Sequence, residues 1–126
     1  MPLERNEPPA SAVKVDGTRG NRFVAGGELQ EGAFLIWPEG LLSLDVADVA
    51  DLRDADLAGA FDLQPARDIL LIGSGSEMRW PDFDLLERLR VRGLGADVMD
   101  SHAAARTFNL LASEARQVAA LILPLS

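Results

Sequence analysis

The spacing of apolar and polar residues divides the chain into a β-rich first third and a remainder in which helices alternate with strands. Short extended segments at residues 12–15 and 22–25 lie between glycines, which is typical of small hairpins. An apolar run at residues 33–37 is ended by Pro38, and residues 42–46 alternate apolar with polar side chains. These segments predict antiparallel strands, the last of them buried on one face.

The apolar period changes after residue 50. Three apolar residues recur at intervals of three and four, which predicts a short helix: Leu57, Ala60 and Phe61. Asp54 is placed to cap this helix, and Pro65 is placed to end it. Residues 68–73 then form a continuous apolar run, the pattern of a strand buried on both faces of a parallel sheet.

Two more helices and two more strands are predicted downstream. Pro81 is placed to begin a helix that reaches Arg92, on which Asp84 and Arg88 form an i, i+4 ion pair. The inner face of that helix consists of Leu85, Leu86 and Leu89. Ser101 is placed to cap a helix that ends near residues 114–116. The two strands are residues 95–99 and 117–123, so the order after the β-rich part is βαβαβ, an α/β arrangement.

Length and composition predict one folded, water-soluble domain. Residues 1–11 hold three prolines and two glutamates and predict a flexible tail, which leaves residues 12–126 as a single α/β domain. The longest apolar run is eight residues, whereas a spanning helix needs about 20. With no targeting segment recognised in the tail, we expect a cytoplasmic protein.

Charge and residue types exclude several kinds of chemistry. The net charge of −8 and a single lysine argue against a nucleic-acid partner. The chain contains no cysteine, so it forms no disulfide, thiolate nucleophile or cysteine-type zinc site. His102 is the only histidine, which makes a histidine-based metal site a weak case. We therefore predict no metal and no cofactor.

Residues 73–76, Gly-Ser-Gly-Ser, stand between a buried strand and a helix. Glycines there let the backbone approach an anion, and a helix start supplies free N–H groups. However, Met78 occupies the position of the third glycine of a dinucleotide-binding motif, and the Lys-Ser/Thr pair of a P-loop is missing. A tight strand-to-helix turn is the leading interpretation, and a site for a small anion is the alternative.

A stripe of polar residues is predicted along one face of the last helix. Its members are spaced by four, three and four residues: His102, Arg106, Asn109 and Ser113. The stripe either contacts a partner or a cleft, or it is simply solvated. Asp100, Ser101 and His102 do not predict a catalytic triad, because adjacent residues at a helix start point apart. We predict no catalytic residue.

An acidic edge is formed by six aspartates with only Arg53 to offset them: Asp45, Asp48, Asp51, Asp54, Asp56 and Asp62. Their spacing differs from that of a calcium-binding loop. They therefore predict a solvated surface that favours solubility or docking to a basic partner.

Four segments together resemble a small family of unknown function that includes the mitochondrial complex I (NADH:ubiquinone oxidoreductase) assembly factor 3. They are AFLIWPEG at residues 33–40, DILLIGSGS at 68–76, RGLG at 92–95 and the stretch 98–124. The resemblance covers roughly residues 13–124. It implies a compact three-layer α/β domain, with a mixed central sheet, flanking helices and a β-hairpin layer packed on the sheet.

The same resemblance implies an activity and a site. Eukaryotic members act as chaperone-like factors in respiratory-complex assembly, so it implies non-catalytic binding of protein partners, with subunits of the membrane complex as candidates. The family positions carried over are Gly73, Gly75, Asp100, Arg106, Thr107 and Asn109; with Ser74 and His102 they make up the predicted cleft residues, at one end of the sheet. Ala105 stands where many relatives have cysteine, so a thiol role is not expected. Arg106 and Asn109 also have a plain structural alternative, in which they satisfy carboxylates or loop backbone.

Two other classes of function stay open. The first is a sensor or an enzyme of a small anionic ligand, in which residues 73–76 would hold the anion and Arg106 would neutralise its charge. The second is a homo-oligomeric structural protein. We expect a monomer or a weak homodimer.

Overall fold

Two sheets and three α-helices make up residues 12–126, the part of the chain that this computed structural model describes. The predicted tail at residues 1–11 lies outside the described residues. The strands are β1 (Val15–Arg19), β2 (Arg22–Ala25), β3 (Glu28–Leu29), β4 (Phe34–Trp37), β5 (Gly40–Ser43), β6 (Ile69–Gly73), β7 (Ala96–Met99) and β8 (Val118–Ile122). The helices are α1 (Asp54–Phe61), α2 (Phe83–Val91) and α3 (Ser101–Ser113), with a 3-10 turn at Val49–Asp51.

The central sheet is mixed and has the strand order β5-β4-β8-β6-β7. β6 runs parallel to both of its neighbours, β7 and β8, whereas β4 is antiparallel to both β5 and β8. All five residues of β8 are buried, as its continuous apolar run predicts for a strand covered on both faces.

Helices and a second sheet cover the two faces of the central sheet. On one face, α1 and α2 contribute the buried residues Leu57, Ala60, Leu85 and Leu89. On the other, α3 and the three-stranded sheet β1-β2-β3 contribute residues that include Val15, Phe23, Ala104 and Phe108. The predicted three-layer α/β architecture, with a mixed sheet and a hairpin layer, is confirmed.

The start of the hairpin sheet differs from its prediction. β1 begins at Val15, where the predicted strand 12–15 ends. The reason is the two-residue loop formed by Gly20 and Asn21, which pairs Arg19 with Arg22 and so fixes the register of the hairpin. The next turn also has two residues, Gly26 and Gly27. Both have positive φ (62° and 79°), as a type I′ hairpin turn requires.

The strand predicted at residues 42–46 is also displaced. β5 spans Gly40–Ser43, because a two-residue turn at Pro38 and Glu39 pairs Trp37 directly with Gly40. Leu44 and Val46 still pack against the core as partly buried side chains, although they lie outside the strand. Alternation therefore identified the partly buried Leu44 and Val46 correctly, but not Leu42, which is 47% exposed, nor the bounds of the strand.

Aspartates cap two helices where other residues were predicted to begin them. The Ala103 N–H donates to Asp100 Oδ1 (2.9 Å), so Asp100 rather than Ser101 is the N-cap of α3. In α2 the Asp84 N–H donates to Asp82 Oδ1 (3.1 Å), and the helix begins two residues after Pro81. A carboxylate just before a helix satisfies N–H groups that have no partner within the helix.

The α1 start and its ion pair also depart from expectation. Asp54 is the first helical residue rather than the cap, and the Arg53 N–H donates to Asp56 Oδ2 (2.8 Å). Arg88 does not pair with Asp84. Its guanidinium makes a two-pronged contact with Asp54, with Nη2 to Oδ1 at 2.8 Å and Nε to Oδ2 at 2.9 Å. Both oxygens of Asp54 thus bind the guanidinium fork, a bidentate arrangement that is among the stronger kinds of ion pair.

Candidate functional site

Gly73 lies where the end of β6 meets the first turn of α3. A Cβ atom at this position would lie 2.9 Å from Ser101 Cα and 3.0 Å from Ala104 Cβ. The first of these distances is shorter than real Cβ contacts, so only glycine lets the helix approach the strand this closely. Packing thus explains Gly73 without a ligand.

The loop that follows Gly73 is held by its own hydrogen bonds. The Ser74 N–H donates to the Met99 carbonyl (2.8 Å), and the Gly75 N–H donates to Ser101 Oγ (2.8 Å). Ser74 Oγ donates to the Glu77 carbonyl (2.6 Å) and accepts from the Arg79 N–H (2.9 Å). These bonds occupy two of the N–H groups that an anion would need. The predicted tight turn is nevertheless wrong, because nine residues separate the end of β6 at Gly73 from the start of α2 at Phe83.

A cleft of about 320 Å³ opens beside this loop. Of the predicted site residues, Ser74 and Gly75 line it, together with Ser76 of the same loop. The cation in its lining is Arg79, whose Nη1 lies 3.4 Å from Asp48 Oδ2. The pKa of Asp48 is lowered because its carboxylate accepts a hydrogen bond from the Ala50 N–H and lies near Arg79. Arg106 does not line this cleft.

Ser101 connects three segments beneath the loop. Its side chain is fully buried; Oγ accepts from the Gly75 N–H and donates to the Leu123 carbonyl at 2.7 Å. The Ser101 N–H in turn donates to the Gly75 carbonyl (2.8 Å). Its neighbour Asp100 is occupied as the cap of α3. The arrangement holds the end of β6, the start of α3 and the chain after β8 together.

The polar stripe of α3 is partly covered by the hairpin sheet. The Val15 N–H donates to Asn109 Oδ1 (3.0 Å), and Asn109 Nδ2 donates to the Val15 carbonyl (2.8 Å). His102 packs edge-on against the Phe23 ring, with ring centroids 5.7 Å apart. Arg106 is exposed and Thr107 is half-buried. The stripe therefore combines an anchor for β1 with a charged side chain that faces solvent.

The acidic edge is solvent-facing, as predicted, with four of its aspartates exposed and two half-buried. Its counter-charges come from more of the chain than Arg53, because Arg79 pairs with Asp48 and Arg88 pairs with Asp54. The pKa of Asp54 is lowered, mainly by its hydrogen bonds with the Arg88 side chain.

Sequence inspection missed an exposed apolar patch before and at the start of α2. Met78 is 41% exposed, Trp80 55% and Phe83 67%. The Trp80 and Phe83 ring centroids are 5.7 Å apart, so the two rings form one surface. The helical spacing contains part of the necessary information, because Phe83 precedes Leu85 by about 200° of helix rotation and so lies on the other side of the helix from that buried residue.

Residues 12–126 contain neither a cluster of metal ligands nor a membrane-spanning helix. Within this range no three His, Asp or Glu side chains converge in a group able to hold a metal ion. No helix in the same range is long and apolar enough to cross a membrane.

Comparison with known sequences identifies relatives along nearly the whole chain. The model of a family described as protein of unknown function (DUF498/DUF598) matches residues 15–123. The NADH dehydrogenase [ubiquinone] 1 alpha subcomplex assembly factor 3 of Xenopus tropicalis is 29% identical over 122 residues, which cover 97% of this chain and 66% of that protein. The chain thus spans slightly less than two thirds of this relative. An uncharacterized protein of Rhodobacter capsulatus is 34% identical over 117 residues, covering 92% of this chain and 88% of that protein.

Solved structures show the same fold. The crystal structure of a Bordetella parapertussis protein matches with a TM-score of 0.82 and 29% sequence identity. The match covers 93% of this chain and 99% of that one. The two proteins therefore share their fold over nearly the whole of both chains.

Proposed function

This chain belongs to the family of proteins of unknown function DUF498/DUF598, and we propose that it is a non-catalytic binding protein that acts through protein–protein contacts in the assembly of a membrane respiratory complex. The family membership confirms the resemblance found in the sequence. The assembly role comes from the named relatives, and the partners proposed are subunits of an NADH dehydrogenase complex.

One observation carries the proposal on the structural side. The polar side chains at the most conspicuous positions hold the fold together: Ser74 and Ser101 bind loop backbone, and Asn109 binds the backbone of β1. Within residues 12–126, every buried side-chain nitrogen and oxygen has a hydrogen-bond partner. Such a network supports a rigid domain that binds partners through its surface, because its buried polar groups are paired with one another rather than free to contact a substrate.

The proposed contact surface lies on α3 and centres on Arg106. The acidic edge is the alternative contact surface. Arg106 is exposed on a helix whose other face is fixed by Ala104 and Phe108. A cytoplasmic location is part of the proposal, and the lack of cysteine is compatible with such a reducing compartment.

Affinity purification of the tagged protein from its own host, with gentle crosslinking, tests the proposal. Mass spectrometry of the membrane and soluble fractions should recover respiratory-complex subunits above the tag-only background. Arg106→Glu should remove them, whereas Arg116→Glu, the same charge change at another exposed arginine, should retain them. If both variants still recover the subunits, the contact lies on another surface. If the wild-type protein recovers no subunits above the tag-only background, the assembly role is contradicted.

The cleft beside Ser74 favours a second candidate, the binding of a small anion as a sensor or enzyme. The side chain that would neutralise the anion is Arg79, which lines the cleft, rather than Arg106. Melting temperatures in phosphate, nucleotides and small carboxylates test this function. An increase that is lost in Arg79→Ala and kept in Arg106→Ala would support it.

A further inference from the structure

A groove of about 510 Å³ runs between α2 and strand β7. Its lining combines apolar and charged side chains: Phe83, Asp84, Leu86, Glu87, Arg90, Gly95 and Ala96. Phe83 is stacked against Trp80, so the exposed aromatic patch continues into the groove. Large exposed aromatic side chains are typical of binding surfaces, because they contribute much apolar contact area for little loss of conformational entropy.

Strand β7 forms the outer edge of the central sheet beside this groove. The Met99 carbonyl accepts from the Ser74 N–H, so the backbone groups of Met99 face β6. Alternation then directs the N–H and C=O groups of Ala96 and Val98 away from the sheet. Among the described residues, neither has a backbone partner outside its own strand pairing. Such an edge can accept another strand.

The groove and the edge have matching lengths. Nine helical residues of α2 span about 13 Å, and the four residues of β7 also span about 13 Å. Residues from the start of α2 (Phe83), its end (Arg90) and the start of β7 (Ala96) all line the groove. An extended segment paired with β7 would therefore reach the groove where Ala96 lines it and run beside α2.

The two faces of such a segment would meet different surroundings. Ala96 and Val98 pack toward the core on the α2 side, so alternate side chains of an added strand would lie over Phe83 and Leu86. Asp97 points to the opposite face and is exposed. Arg90 is already paired with Glu87, whereas Asp84 and Asp97 form no ion pair within residues 12–126. The surroundings are therefore apolar on one face and acidic overall.

We propose that the α2–β7 groove binds an extended segment of a partner protein, in which apolar and basic residues alternate, as an additional strand on β7. The inference adds a second surface to the proposed contact surface on α3, and it rests on the proposed binding function for its biological role. A second copy of this chain fits the edge poorly, because pairing β7 with its own copy would bring like-charged Asp97 side chains close together.

Binding of synthetic peptides to the purified full-length protein tests this surface directly. The probe is a fluorescently labelled peptide of about eight residues, a usual strand length, in which Val or Phe alternates with Lys. The first control has the same composition with its lysines grouped together, and the second is N-methylated at alternate residues, which blocks one hydrogen-bonding edge. We expect the alternating peptide to bind about tenfold more tightly than either control.

Surface variants locate the site. Phe83→Ser and Trp80→Ser should each weaken binding about tenfold, and Asp97→Lys should weaken it through charge. Leu110→Ser is the matched control, because Leu110 is also apolar and 59% exposed but lies on α3. Its affinity should equal that of the wild type. Unfolding is checked by circular dichroism of each variant.

Several results would overturn the inference. Equal binding of all three peptides, or an equal loss in Leu110→Ser, would exclude this groove as the site. A dimer detected by light scattering that disappears in Phe83→Ser would assign the edge to a second copy instead. The assembly role fails separately, since it depends on recovery of respiratory-complex subunits from cells and not on the peptide assay.

Discussion

The side-chain amide of Asn109 forms two hydrogen bonds with the backbone of Val15, one in each direction, although 94 residues separate them in the chain. The amide thus forms with β1 the two hydrogen bonds that a neighbouring strand would form, at the outer edge of the hairpin sheet. This contact fastens the hairpin layer to α3, the helix that also carries Arg106.

Replacing Asn109 should therefore loosen the hairpin sheet. Asn109→Ala removes both bonds and leaves two backbone groups of Val15 without this partner, which should lower the free energy of unfolding by roughly 1–3 kcal/mol. Urea denaturation gives the magnitude, and hydrogen exchange at β1 and β2 should accelerate more than at β6. Leu110→Ala, at an exposed neighbour, serves as the control. A variant as stable as the wild type would show that packing alone holds the layer.

Substitution of Gly73 tests the close approach of α3 to β6. In Gly73→Ala the new methyl group would overlap Ser101 Cα and Ala104 Cβ, so we expect a loss of roughly 1–3 kcal/mol from overpacking. Gly95→Ala is the matched control, because a Cβ atom there has nothing within 4 Å. Urea midpoints of the two variants should differ clearly, and equal midpoints would refute the packing role of Gly73.

Ser101→Ala tests whether the buried hydroxyl fixes the loop at residues 74–75. The variant leaves the Gly75 N–H and the Leu123 carbonyl without their side-chain partner, which should cost roughly 1–3 kcal/mol. Ser113→Ala removes an exposed hydroxyl from the same helix and should stay within about 0.5 kcal/mol of the wild type. Amide exchange at Gly75 distinguishes a local loss from general destabilisation. Unchanged protection there would contradict the assigned role.

The Asp54–Arg88 pair should make stability depend on pH in the acid range. Folding lowers the pKa of Asp54, so its contribution is present above the ordinary value of 3.8 and is lost as the pH falls through the lowered pKa. Asp54→Asn should reduce the melting temperature slightly at neutral pH, and the difference from the wild type should shrink as the pH falls below 3.8. Added salt should shrink the neutral-pH difference. If the melting temperature of Asp54→Asn stays below that of the wild type in acid, the loss of stability does not come from the Asp54–Arg88 ion pair.

The sequence predicted those parts of the fold that depend on local pattern. The apolar runs of β6 and β8 and the helical period of α3 identified the central layers. The Gly-Ser-Gly-Ser loop does follow a strand, but it is not the predicted tight turn, because α2 begins only at Phe83. Elements whose position depends on a distant partner were misplaced or unseen. Arg88 pairs with a residue 34 positions away, a contact that helical spacing cannot indicate.

Exposure was the hardest property to predict. A polar residue in a helix stripe looks the same whether it faces water or another layer, and only the structure separates Asn109, which binds β1, from Arg106, which is exposed. Aromatic residues are normally buried in the core, so nothing in their residue type indicates that Trp80 and Phe83 are more than half exposed.

The amount of assembled NADH dehydrogenase complex in membranes of the host tests the assembly role most directly. The gene for this chain is deleted and then restored as wild type or as Arg106→Glu, and the complex is quantified on native gels. The account predicts less assembled complex in the deletion strain, recovery with the wild type and no recovery with Arg106→Glu. An unchanged amount of complex in the deletion strain would contradict it.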